Sequence, residues 1–198
     1  TVLNKRQIMK MVSLALELEF DIPIINKSGD YLYISLFEHA NYKTDIGINQ
    51  IPANENILCG DAYSYFNDGL GHTVMILSDG MGTGGRAAVD GAMASGLMTK
   101  LITAGFGFDC AVNLINSSML FKSTDESLAT LDIASVDLFT GEVKFYKAGA
   151  APTVVKRSNK TGVATSCSLP IGILEEASFD TARIRLKEKD VILLLSDG

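Results

Sequence analysis

Two stretches of this chain end in the same way. Residues 74–80 read VMILSDG and residues 192–198 read ILLLSDG, each an apolar run that stops in Ser-Asp-Gly. A short apolar run is the pattern of a buried strand, and an Asp at its tip is a carboxylate delivered to a sheet edge. Asp61 adds a third, in a β-rich run (57–66) joined to 72–78 by a turn that centres near Gly69. Antiparallel pairing about that centre sets Asp61 almost opposite Ser78, one step from Asp79. Cross-strand neighbours lie about 4.5–5.5 Å apart, so these two carboxylates converge. Like charges held together are costly, and a divalent cation removes the conflict. Oxygen-only ligation by Asp suits Mg2+ or Mn2+. Gly80 lets a backbone carbonyl approach the ion with no Cβ in the way. Asp197 arrives from the second Ser-Asp-Gly. The chemistry such a set supports is activation of a water for displacement at phosphorus. Asp-Gly also ends strands simply because it turns well, but the first copy leads into a helix, not into a returning strand.

Other chemistries find less material. Residues 80–85, GMGTGG, match G-x-G-x-x-G after a strand and before a helix. A dinucleotide site needs a second parallel strand ending in an acid about 20 residues on; here the helix runs to Ala104-Gly105 and another helix follows. A P-loop needs Lys-Ser/Thr where the chain has Arg86-Ala87. His39 and His72 are the only histidines, too few for a His-based triad or zinc site, and both read as surface residues. Cys59, Cys110 and Cys167 are far apart in small or apolar contexts and read as buried reduced thiols. The net charge is −6 and Lys156-Arg157 is the longest basic run, which leaves no face for nucleic-acid phosphates. No apolar run approaches the roughly 20 residues of a membrane span. The chain begins at Thr1 with no signal peptide, so the expectation is a cytoplasmic domain, with room for a membrane anchor upstream.

The elements that must position these residues follow from periodicity. Residues 5–20 space apolar side chains as an amphipathic helix, and 26–30 turn between two β-rich runs. Residues 42–50 read as a strand, 85–103 and 108–121 as helices. From Thr130 on the chain is β: 131–138, 143–147, 153–156, 179–186 and 191–195, with turns at 139–141 and 158–162. Strands in hairpin order around two central helices give α+β with antiparallel sheets. The division expected is a helical, regulatory segment over 1–38 and one further domain over 39–198.

Taken in order, Gly60-Asp61-Ala62-Tyr63-Ser64, Ser78-Asp79-Gly80-Met81-Gly82-Thr83-Gly84, Thr130-Leu131-Asp132, Leu169-Pro170-Ile171-Gly172 and Ser196-Asp197-Gly198 resemble the PPM (PP2C-like) metal-dependent serine/threonine phosphatases. Within that class they resemble the stage II sporulation phosphatases of spore-forming bacteria. The resemblance runs from about Tyr42 to the last residue. It implies a sandwich of two antiparallel β-sheets flanked by α-helices, with two Mn2+ or Mg2+ ions at one edge. Asp61, Asp79 and Asp197 match catalytic, metal-binding carboxylates, with Asp79 bridging the ions; Gly80 matches the glycine whose carbonyl binds one of them. The nucleophile it implies is a metal-bridging hydroxide, and the substrate a phosphorylated anti-sigma-factor antagonist, whose dephosphorylation releases a sigma factor. The family's further Asp-Asp-Met/Ile-Thr segment does not occur before Gly198. The domain is therefore expected to be C-terminally truncated, to hold one ion at most, and to be inactive or weakly active. Arg86 is the nearest arginine to the glycine loop, and it reads as a helix contact more than a phosphate grip. The rival expectation is a non-catalytic binding module that dimerises through the N-terminal helix.

Overall fold

The computed structural model describes residues 4–51, 58–82, 84–122 and 127–196. The chain divides into two compact units, Thr1–Lys43 and Thr44–Gly198.

The first unit holds helix α1 (Lys5–Leu16) and a hairpin of β1 (Ile24–Ser28) and β2 (Tyr31–Ser35). A capping box starts α1: Asn4 Oδ1 accepts from the Gln7 N–H and Gln7 Oε1 from the Asn4 N–H, each at 2.9 Å. The helix is shorter than the 5–20 expected, because Glu17 adopts a left-handed conformation (φ 56°) and ends it. Gly29 (φ 59°) makes the hairpin turn. No residue of α1 is buried, and Leu14 is 84% exposed.

The second unit is a sandwich. Its larger sheet runs β3 (Asp61–Asn67), β4 (His72–Asp79), β5 (Leu131–Asp137), β6 (Glu142–Ala148) and β9 (Asp180–Arg185), all antiparallel. The smaller sheet runs β10 (Val191–Leu193), β7 (Thr153–Arg157) and β8 (Lys160–Ala164). Helices α2 (Gly85–Thr103) and α3 (Phe108–Lys122) pack on one face of the larger sheet, with Val74, Ile76, Leu131 and Ile133 meeting Ala94, Met98, Ile115 and Met119. Its other face buries Ala134, Val136, Val143 and Phe145 against Val155 and Ala164 of the smaller sheet. Central strand β5 is buried on both faces, so its side chains must suit a dry interior on either side. Lys122 Nζ, 2.7 Å from the buried Asp90 Oδ1, ties α3 to α2.

Three expectations need correcting. Residues 42–50 do not pair as a strand; burial alternates over 42–47 and 47–50 are all exposed, and Thr44 and Gln50 reach the sheet through side chains, Gln50 Nε2 donating to the Asp61 carbonyl at 2.9 Å. The turn expected over 158–162 is tighter, and Lys160 already begins β8. Among the cysteines, all free, Cys110 and Cys167 are exposed and Cys59 is half-buried, not buried as expected.

Two carboxylates brace the smaller sheet's neighbourhood and set an acid limit. Arg157 forks onto Asp190, Nε to Oδ1 at 3.0 Å and Nη2 to Oδ2 at 2.5 Å. Asp180 Oδ2 accepts the backbone N–H groups of Cys167 and Ser168. The guanidinium holds the Asp190 carboxyl below its ordinary range, and the two N–H groups do the same for Asp180. A carboxylate whose folded pKa is depressed stabilises the fold above its unfolded pKa, near 4, and loses that contribution as pH falls through the folded value. Melting temperature is therefore expected to fall steeply below about pH 4. Asp190→Asn is expected to lower it at pH 7 and to flatten the acid limb, as read by thermal melts from pH 7 to pH 3.

Candidate metal centre

The register of the β3–β4 hairpin places Asp61 directly opposite Asp79. The spacing argument had put Asp61 opposite Ser78. The difference is one residue in the turn: Asp68 Oδ1 accepts from both Leu70 and His72 N–H, and Gly69 (φ 78°) and Gly71 (φ 93°) take the left-handed positions, which recentres the hairpin on Leu70. Opposite residues share a face, so the pair meets more closely than expected.

The backbone beside the pair is packed to the limit that glycine allows. A Cβ built on Gly60 would lie 2.9 Å from the Gly80 carbonyl oxygen and 3.3 Å from Asp79 Oδ1. Those two oxygens therefore converge on one spot next to Asp61. A Cβ on Gly80 would lie 1.9 Å from the Ala87 carbonyl oxygen. One on Gly91 would lie 2.3 Å from the Gly60 carbonyl oxygen. Helix α2 thus sits directly on the backbone of both site strands. Gly91 played no part in the sequence argument; a glycine inside a helix costs about 1 kcal/mol relative to Ala, and that penalty was the available signal of close approach.

Thr130, just before β5, clamps the tip of β4. Thr130 Oγ1 accepts from the Asp79 N–H at 3.0 Å, the Thr130 N–H donates to the Asp79 carbonyl at 2.8 Å, and Ser78 Oγ donates to the Thr130 carbonyl at 2.8 Å. The threonine was legible as part of a motif, but its contact with Asp79 was not. The chain after β10 reaches the same place: Ser196 Oγ donates to Asp61 Oδ2 at 2.9 Å. The second Ser-Asp-Gly therefore begins against Asp61, the partner of Asp79 across the hairpin. Asp197 itself lies outside the described residues. A cleft of about 180 Å3 opens here, lined by Asp79, Thr130, Asp132, Gly149 and Ser196 among others.

The donor set fits a hard divalent cation. It offers two adjacent carboxylates and a convergent carbonyl, all oxygen. Among the described residues no three His, Cys, Asp or Glu side chains gather as a metal group; Asp61 and Asp79 stand as a pair. Neither histidine joins them. His72 pairs with Asp68, and His39 belongs to the other unit, where it pairs with Asp21. Arg86 is exposed in the first turn of α2.

Comparison with known proteins gives this geometry a lineage. The sequence model of the stage II sporulation protein E (SpoIIE) family matches residues 69–198. Stage II sporulation protein E of Priestia megaterium is 31% identical over 168 residues, which is 85% of this chain and 29% of that protein. The Bacillus subtilis (strain 168) protein is 30% identical over 168 residues, 85% of this chain and 20% of that protein. The chain thus spans less than a third of the curated relatives it matches. The solved PP2C phosphatase domain of Bacillus subtilis SpoIIE, with a fragment of its regulatory domain, superposes with a TM-score of 0.80 at 27% identity, covering 100% of this chain and 59% of that one. RsbX in complex with magnesium shares the fold alone, with a TM-score of 0.62 at 16% identity over 75% of this chain and 71% of that one. PP2C-family phosphatases in general use Mn2+ or Mg2+. The chain belongs to the SpoIIE family and has its PP2C-type fold of antiparallel sheets flanked by helices.

Proposed function

We propose that this chain is a metal-dependent phosphoserine phosphatase domain acting in sporulation sigma-factor control, with a phosphorylated anti-sigma-factor antagonist as substrate. The observation that carries the reading is the Asp61–Asp79 pair, with Asp79 Oδ1 and the Gly80 carbonyl converging beside it. Asp61, Asp79 and the Gly80 carbonyl would hold Mn2+ or Mg2+, and Asp197 is the further ligand in this reading. The cation supplies an activated water and neutralises charge at phosphorus. The chain's own residues do the rest. Thr130 fixes the backbone of Asp79. Ser196 orients Asp61 by donating to one oxygen, which leaves the other for the ion. The relatives' role in sporulation supports the substrate class; the magnesium in RsbX supports the cation class.

The test is phosphate release from a phosphoserine protein by the full-length protein that carries this domain. Release is expected with Mn2+ or Mg2+ and is expected to stop with EDTA. Turnover that EDTA leaves untouched would rule the reading out.

A second reading concerns the first unit. Met11, Leu14 and Leu16 are exposed apolar side chains on one helix, which supports docking of α1 on a second copy of the chain. This homodimer contact is compatible with catalysis, and it is what remains if the second unit proves to be a non-catalytic binding module. No helix among the described residues is long and apolar enough to cross a membrane.

A further inference from the structure

The floor of the metal cleft holds a buried charge pair with no task in the phosphatase reading. Asp132 on β5 and Lys147 on β6 face each other in register, and each is only 1% exposed. Lys147 Nζ lies 2.6 Å from Asp132 Oδ1. It also donates to Thr153 Oγ1 at 2.7 Å, and that hydroxyl donates to Asp132 Oδ2 at 2.6 Å. Thr153 stands on β7, so the cluster links the two sheets and carries no net charge. Burial acts against both ions, pushing the Asp132 carboxyl up and the Lys147 ammonium down. Apolar residues of similar volume fill such a place without that cost, so stability is a poor reason to keep the pair.

Its position suggests a better one. Asp132 lines the same cleft as Asp79. It stands opposite Leu77, two residues from Asp79 on β4, so the two carboxylates share a face of the sheet. Asp132 Oδ1 faces the Lys147 ammonium alone, at 2.6 Å. This is a carboxylate on the lining of the cleft, with an ammonium in front of it.

We propose that Lys147 is an internal counter-ion that keeps Asp132 from acting as a further carboxylate of the metal cleft, so that the pair sets the charge a cation meets there. The inference rests on the metal-cleft reading above. Thr153 locks the pair by bonding both members. Neutralising Asp132 leaves a positive charge beside the cation; neutralising Lys147 adds a negative one. At this depth a unit charge one or two strand spacings away alters cation affinity by about tenfold or more. The two effects have opposite signs, whereas loss of packing weakens binding in both.

The experiment is calorimetric titration of Mn2+ into the full chain at neutral pH, with Asp132→Asn, Lys147→Met and the double variant. Asp132→Asn is expected to bind about tenfold more weakly and Lys147→Met about tenfold more tightly. The double variant, neutral like the parent, is expected within about twofold of it. Lys147→Met alone strands a buried carboxylate; if it does not fold, Asp132→Asn against the double variant decides. Weaker binding in both single variants, or a double variant no better than Asp132→Asn, overturns the inference while the metal cleft stands. A parent chain that binds no Mn2+ overturns the cleft reading, and this inference with it.

Discussion

Asp79→Asn is expected to cut phosphate release from a phosphoserine protein by more than about 100-fold, while the metal-free protein melts no lower than the parent. Changing a residue that merely orients a metal ligand costs about 10–100-fold in affinity or activity, and a ligand itself should cost more. Asn keeps one oxygen and the shape of the side chain. The backbone contacts of residue 79 with Thr130 do not involve its side chain, so they survive. The substitution also relieves a repulsion: like charges directly opposite on paired strands are destabilising, and Asp61 is directly opposite. Loss of activity with unchanged or raised melting temperature is the signature of a side chain placed for function. Near-parental activity would remove Asp79 from the site.

Gly80→Ala is expected to be strongly destabilising, at about 3 kcal/mol. That corresponds to roughly 6–12 °C in melting temperature for a domain of this size. The new Cβ would fall 1.9 Å from the Ala87 carbonyl oxygen, 2.7 Å from its carbon and 2.8 Å from the Gly91 nitrogen. All three are backbone atoms of α2, so no side chain can swing aside. Either α2 retreats from the sheet or the loop lifts away from Gly60 and carries the Gly80 carbonyl with it. Both routes also disturb the convergent oxygens, so activity is expected to fall with stability. Ala at residue 96, the other mid-helix glycine of α2, meets nothing within 4 Å, and it is expected to be neutral or stabilising. Thermal melts of the two variants side by side check the contrast.

The sequence made the architecture readable where local chemistry agreed with the fold. Helix α2 occupies the expected 85–103, because Ala, Met and Leu favour helix and a glycine-rich bend releases it. The β5–β6 hairpin was legible from the turn at 139–141, where Gly141 has a φ of 71° that suits a left-handed position; the structure adds Asp137, which caps the turn by accepting from Phe139 and Thr140. Residues 42–50 misled because alternating burial reports a one-sided environment and not a ladder of backbone bonds. Cys110 misled because its apolar neighbours Ala111 and Val112 are buried on α3 while it points away. At the site, the two carboxylates and the glycine were legible as strand tips. Lys147 was not: in a strand a lysine reads as solvent-facing, and only the register with Asp132 and the crossing of β7 turn it inward. Such partnerships depend on strand order, which composition and periodicity do not encode.

The central claim is that Asp61, Asp79 and the Gly80 carbonyl form one divalent-cation site. Mn2+ titrated into the parent chain and into Asp79→Asn tests it most directly, because it reads the ion without requiring the substrate. The account expects measurable binding by the parent and a loss of more than about tenfold in Asp79→Asn. Equal binding by the two proteins would contradict it.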